Sequence, residues 1–189
     1  MKRNPRLPDH LRDEKKAIEW WLENEKDHAN VPLPYELMSY DGVLALAGRD
    51  IEEAEAEDYD LFEQIVKANE VLERTDFYVG FMLEAEEKDA VELYRSISVR
   101  DRRYIRRKGV GVFWSYEYHC AQSHWGSAVL PDFVLTGVVR PENIDWEGGY
   151  AAFIEFGEEE CEVRVDEGAP ILITEINGQE LDDPIEATA

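Results

Sequence analysis

The hydrophobic rhythm of the chain changes near residue 90. Before that point apolar residues recur every three or four positions, the period of a helix with one buried stripe. DHLRDEKKAIEWWLENEKDH (9–28) carries Leu11, Ile18, Trp21 and Leu22 at near-helical spacing, with Asp9 as the candidate N-cap. VPLP (31–34) breaks the pattern, and YELMSYDGVLALAG (35–48) predicts a shorter helix that stops at Gly48. A long helical segment then runs from Asp50 to about Glu87. Asp50 can cap it, its acidic first turns complement the helix dipole, and Leu61, Ile65, Val66 and Leu72 mark its buried stripe.

Beyond residue 90 the pattern alternates in twos, as half-buried strands do. VELYRSISV (91–99) puts Val91, Leu93 and Ile97 on one side, with Arg95 in the middle of the run. RDRRYIRRKG (100–109) predicts one or two helical turns closed by Gly109, and VGVFWSY (110–116) a second strand. EYHCAQSHWG (117–126) returns to helical spacing. FVLTGVV (133–139) is a third strand, halted by Arg140-Pro141. YAAFIEF (150–156) reads as a fourth, and CEVRV (161–165) and PILITEI (170–176) as the last two. Helices followed by strands predict an α+β chain: a helical N-terminal region (1–88), a strand-rich module (89–180) and a C-terminal tail (181–189).

Composition narrows the partners. With 44% hydrophobic and 11% aromatic residues, the chain of 189 can build a core. Its formal net charge is −23, and the acidity is general: residues 1–90 hold 11 basic and 24 acidic residues, residues 91–189 hold 9 and 19. Such a surface repels phosphate backbones, so direct nucleic-acid binding is not expected. A solvated acidic surface remains, or a nucleic-acid mimic that inhibits a basic partner protein. Against that background, six of the 20 basic residues fall within 100–109, either paired with acidic neighbours or gathered near something anionic. Two cysteines, Cys120 and Cys161, form no disulfide framework and fit a reducing compartment. No signal peptide and no membrane-length apolar run is read, so the expected location is cytoplasmic, without a membrane partner.

Three places carry chemistry. Arg95 lies inside an apolar strand, where an arginine pairs with an anion or turns to water from an edge. Ser115 ends an aromatic strand, where its hydroxyl can orient a carboxylate. In EFGEEECEVRV, Glu160 and Glu162 would face the same side of an extended segment, roughly 7 Å apart, unless the run is simply a solvated turn. Metal binding reads poorly: Cys120 and His124 share a helical face, His119 lies elsewhere, and two ligands do not close a zinc site. No metal is therefore expected. A glycosidase would need two carboxylates across a cleft, a separation that a sequence does not give.

The order of the three places adds a further reading. Arginine on a first strand, serine after an aromatic residue on a second, and Glu-x-Glu entering a later strand together resemble the arginine–serine–glutamate class of mono-ADP-ribosyltransferases. That class occurs among bacterial toxins and phage-encoded modifying enzymes. LYRSIS is similar to its first strand, VFWSYEYHCAQSHWG to its second strand and following helix, and ECEVRV with GAPILITEI to its Glu-x-Glu strand, turn and final strand. The likeness spans 91–176, and Tyr116-Glu117 depart from the Ser-Thr-Ser that the class often shows. It implies two packed small sheets and a reaction in which ADP-ribose passes from NAD to a protein acceptor with release of nicotinamide. By that resemblance Arg95 would hold a phosphate or ribose of NAD, and Ser115 would brace the catalytic Glu162. Glu160 would position or deprotonate the acceptor, and Glu there goes with an arginine side chain as acceptor. Tyr116 or Trp114 could stack on nicotinamide, though alternation sets them on the face opposite Ser115 or close to it, and Arg103 would stand in a basic rim to the dinucleotide site.

Overall fold

The computed structural model describes residues 7–25, 39–52, 59–99, 101–105, 109–123, 132–156 and 161–189. It divides into a helical unit, Pro8–Leu83, and a second unit that contains Glu84–Ala189. In the helical unit a 3-10 turn, His10–Arg12, precedes α1 (Glu14–Glu25). The cap is not the expected Asp9, whose side chain makes no capping bond; Asp13 Oδ1 accepts the Lys16 amide at 3.0 Å instead. α2 (Tyr40–Ala47) is capped by Ser39 and ends at Gly48, where the sequence places its stop. α3 (Tyr59–Glu87) buries Ile65, Ala68, Val71, Thr75, Tyr78 and Met82, spaced by three or four residues. Of the four positions expected on its stripe only Ile65 is fully buried; Leu61, Val66 and Leu72 lie at its flanks.

The second unit is built on one antiparallel sheet of six strands. They are β1 (Val91–Ser98), β2 (Phe113–Ser115), β3 (Asp132–Val139), β4 (Glu162–Arg164), β5 (Pro170–Ile176) and β6 (Gln179–Thr188), in the order β4-β2-β1-β3-β5-β6. β1 pairs with β3 along its whole length, from Val91↔Val139 to Ser98↔Asp132. By contrast β1 meets β2 through one register pair, Tyr94↔Ser115. The described strands thus join in a single sheet rather than in the expected two, and that one pair bridges β2–β4 to the rest. One face is apolar: Leu93, Leu135, Trp114, Val163 and Ile173 are all buried. α4 (Tyr118–Ser123) follows β2, and α5 (Trp146–Phe156) precedes β4 and packs on it.

Two elements differ from expectation. Residues 150–156 belong to α5, not to a strand. Asp145 starts that helix by accepting the Gly148 amide at 2.9 Å, so Gly148 and Gly149 lie inside its first turn instead of breaking the chain. Trp146, Tyr150, Phe153 and Ile154 then share a buried helical face. Asp145→Ala should therefore cost about 1 kcal/mol, read as a lower urea midpoint at unchanged slope. The expected tail, 181–189, is most of β6. Its strand is entered by an Asn177-Gly178 turn with both φ values positive, 54° and 69°, the geometry of a tight hairpin. As the edge strand it carries exposed Glu180, Asp182, Asp183 and Pro184, which discourage further strand pairing.

Candidate functional site

The sheet register assembles the site. Glu162 pairs with Ser115, Ser115 with Tyr94, Tyr94 with Thr136, and Thr136 with Glu175. Directly opposed residues point to the same face, so these five form a polar row across β4, β2, β1, β3 and β5, on the face away from the apolar core. Ser115 and Thr136 are the buried polar side chains of this sheet. Thr136 Oγ1 lies 3.2 Å from Glu175 Oε2, and the Tyr94 hydroxyl donates to Glu92 at 2.5 Å. That bond to a carboxylate, with partial burial, pushes the Tyr94 phenol up to about 12. The Tyr118 ring of α4 meets Tyr94 edge-on at 5.5 Å.

Arg95 is next to Tyr94 and leaves β1 from the opposite face. Its guanidinium fills the gap that opens beyond the single β1–β2 pair, where Nη1 donates to the Phe113 carbonyl. Gly111, at φ +76°, lets the backbone approach: a Cβ there would stand 2.8 Å from Nη2. Burial pulls the Arg95 pKa down, and the nearby Glu162 carboxylate opposes that shift. The group stays a cation at neutral pH all the same. Its buried Nε meets no hydrogen-bond partner among the described residues. Arg95 is half-buried, and a guanidinium whose buried Nε–H is unsatisfied favours an anionic partner.

Arg95, Ser115 and Glu162 line one cavity of 180 Å³, with Tyr94, Phe113 and Ala121 among its other walls. A second, more open cleft of 530 Å³ also reaches Arg95 and Phe113 and is lined by Asp145, Arg164 and Asp166. There Arg164 Nε sits 3.4 Å from Asp145 Oδ2, and its guanidinium lies 5.9 Å over the Phe113 ring. Partial burial, then the neighbouring Asp145, raise the Asp166 carboxyl pKa, with Arg164 acting against them. Arg95 thus stands where the two spaces meet. No protein-family model matches the chain, and no curated protein or solved structure matches it either.

Other expected site residues are placed differently. Glu160 lies outside the described residues. Tyr116 does not line either cavity; its ring packs edge-on against Phe153 of α5 at 6.5 Å, and its amide donates to the Cys161 carbonyl. Trp114 does line the smaller cavity, but its ring is buried over Gly137 and its indole N–H is spent on the Gly111 carbonyl at 2.8 Å. Arg103 follows β1 in a 3-10 turn, Arg102–Tyr104, and grips Asp101 through Nε at 2.9 Å and Nη2 at 2.6 Å. That hydrogen-bonded carboxylate raises its pKa, and it lines neither cavity. Arg100, Arg106, Arg107 and Lys108 lie outside the described residues.

Sequence reasoning missed Tyr94, Thr136 and Glu175. A signal existed: a polar residue stands in the middle of the apolar run FVLTGVV and near the end of PILITEI. It also left the cysteines apart. Cys120 of α4 and Cys161, the residue before β4, are joined by a disulfide with Cα atoms 6.2 Å apart. As a whole, the arrangement offers one half-buried cation, one carboxylate and one small hydroxyl around a space of 180 Å³. It can bind an anion and, beside it, stabilise positive charge as it develops.

Proposed function

We propose that the sheet unit binds NAD and transfers ADP-ribose to a protein acceptor, releasing nicotinamide. The observation that carries this reading is the meeting of Arg95, Ser115 and Glu162, from three different strands, at one cavity. Arg95 takes a phosphate of the diphosphate, which supplies the acceptor that its Nε lacks. Glu162 faces the nicotinamide ribose and stabilises the oxocarbenium-like charge that grows as nicotinamide leaves. Ser115, at its side on β2, holds that carboxylate in place. Glu160, through the resemblance alone, handles the acceptor, for which an arginine side chain is the candidate. The single β1–β2 pair is where the one sheet comes nearest to the two packed sheets of the resemblance. The 180 Å³ cavity suits the nicotinamide ribose, and the larger cleft beyond Arg95 suits the remainder of the dinucleotide.

The test is incubation with labelled NAD and cell lysate. Labelled protein, or free nicotinamide, is expected; the absence of both overturns the reading. Arg95→Gln should raise the KM for NAD roughly 10- to 100-fold, the usual scale for a lost charged hydrogen bond. A KM unchanged in that variant would remove Arg95 from the site.

One observation favours a second reading, an acidic inhibitor of a basic partner. β6 presents Glu180, Asp182, Asp183 and Glu186 on the sheet edge. Binding of that kind weakens steeply with salt and is indifferent to Glu162, whereas NAD turnover depends on Glu162.

A further inference from the structure

The His119–Cys120–Cys161 cluster lies beside the candidate site and takes no part in it. A ring nitrogen of His119, Cys120 Sγ and Cys161 Sγ all lie within 4.8 Å of one another. Cys120 and Cys161 are buried, whereas His119 is exposed, so the cluster opens to solvent on one side. The imidazole is oriented from behind: its Nδ1 is 3.3 Å from a Glu117 carboxylate oxygen, and its Nε2 is 3.5 Å from Cys120 Sγ.

A neutral imidazole can meet Glu117 and still turn a lone pair toward the sulfurs. It has one N–H, which serves one of the two neighbours and leaves the other facing a lone pair. If Nδ1–H donates to Glu117, the Nε2 lone pair is left to bind a cation. A carboxylate behind the far nitrogen is how metal-bound histidines are usually held. The spacing agrees. With Zn–S near 2.3 Å and Zn–N near 2.05 Å, a sulfur and a nitrogen on one tetrahedral zinc lie about 3.6 Å apart. The Cys120–His119 separation of 3.5 Å is that distance.

We propose that, with the Cys120–Cys161 bond reduced, His119, Cys120 and Cys161 hold one zinc ion, with solvent as the fourth ligand. A dithiol supplies the two electrons. The S–S bond breaks, each cysteine sulfur gains an electron and a proton, and the dithiol leaves as its cyclic disulfide. Zinc then displaces both thiol protons to water and binds the two thiolates and Nε2. The two sulfurs must move to about 3.8 Å apart, the separation of two thiolates on one tetrahedral zinc, which rotation about the cysteine side-chain bonds allows. Two soft sulfurs and an imidazole favour zinc over magnesium or calcium. The disulfide and the metal are thus alternative links between α4 and the start of β4, one residue from Glu162.

The test uses the full chain and the metals alone. Protein reduced with a dithiol and freed of it under nitrogen is titrated with cobalt(II), then zinc. One equivalent of cobalt per chain is expected, with a thiolate-to-cobalt absorption band that zinc abolishes. The oxidised protein should show no band. Cys120→Ser and Cys161→Ser should each lose most of it. His119→Gln and Glu117→Gln, both at exposed positions, should keep the circular dichroism of the parent and weaken cobalt binding at least tenfold. If a cysteine variant fails to fold, these two decide. The proposal is overturned if reduced, folded protein with two titratable thiols shows no thiolate band, or if His119→Gln binds cobalt as tightly as the parent.

Discussion

Glu162→Gln is expected to lower nicotinamide release from NAD at least 100-fold while leaving the fold and the urea midpoint nearly unchanged. The substitution keeps the shape and removes the charge. Glu162 is half-buried on β4, held in register by its pairing with Ser115, so the amide occupies the same place. A neutral amide does little for a developing oxocarbenium. Losing one preorganised electrostatic partner typically costs about 3 kcal/mol of transition-state stabilisation, which is the stated hundredfold. The charge also matters to Arg95, whose cationic form Glu162 supports against burial. NAD affinity should still change less than turnover, because the diphosphate takes over as the partner of Arg95. Glu186→Gln, on the exposed edge strand, is the control with unaltered turnover. The measurement is single-turnover nicotinamide release alongside the equilibrium affinity for NAD. Full activity in Glu162→Gln would end the enzyme reading, and the acidic-inhibitor reading would then stand on the salt dependence of partner binding.

How much of this could be read in advance follows from the range of each interaction. β1, β3 and β5 were legible because each is a long run whose buried face writes itself into a period of two. Ser115 and Glu162 were legible as residues, but their adjacency was not. It depends on which strands pair and in what register, and β2 and β4 are each three residues long. The same holds for Cys120 and Cys161, which are 41 positions apart and meet because β4 returns beside β2. The misreading of 150–156 is local. Gly148-Gly149 looks like a break, yet Asp145 caps a helix through it, and the buried spacing of Trp146, Tyr150, Phe153 and Ile154 extends back past the glycines. The missed β6 had its own mark, the Asn177-Gly178 pair, but the charges that follow it read as a solvated tail. In RDRRYIRRKG the described basic group, Arg103, is matched by Asp101, an acid within the stretch itself.

Gly137→Val is expected to be the most damaging single change to the sheet unit. Gly137 lies at the centre of the sheet, on β3 opposite Leu93, and the ring of Trp114 rests on it. A Cβ at this position would stand 2.7 Å from two ring carbons of Trp114 and 2.9 Å from the Ile171 methyl, so something must move. None of the neighbours moves cheaply. The indole is tied to the Gly111 carbonyl and is 2% exposed, Gly111 abuts the Arg95 guanidinium, and Ile171 is 3% exposed. Overpacking of this kind costs about 3 kcal/mol, which lowers the urea midpoint by roughly 1.5 M for a chain of this size. The strain also runs toward the site, because Trp114 precedes Ser115 on β2 and its displacement pulls the Tyr94↔Ser115 pair apart. The variant should therefore lose NAD turnover at temperatures where its circular dichroism is still native. Gly80→Ala sets the scale from the other direction: a Cβ there meets nothing within 4 Å in α3, and alanine should stabilise the helix by about 0.5–1 kcal/mol. If Gly137→Val melts with the parent, the ring of Trp114 does not rest where the structure puts it, and the placement of Ser115 beside Glu162 loses its main support.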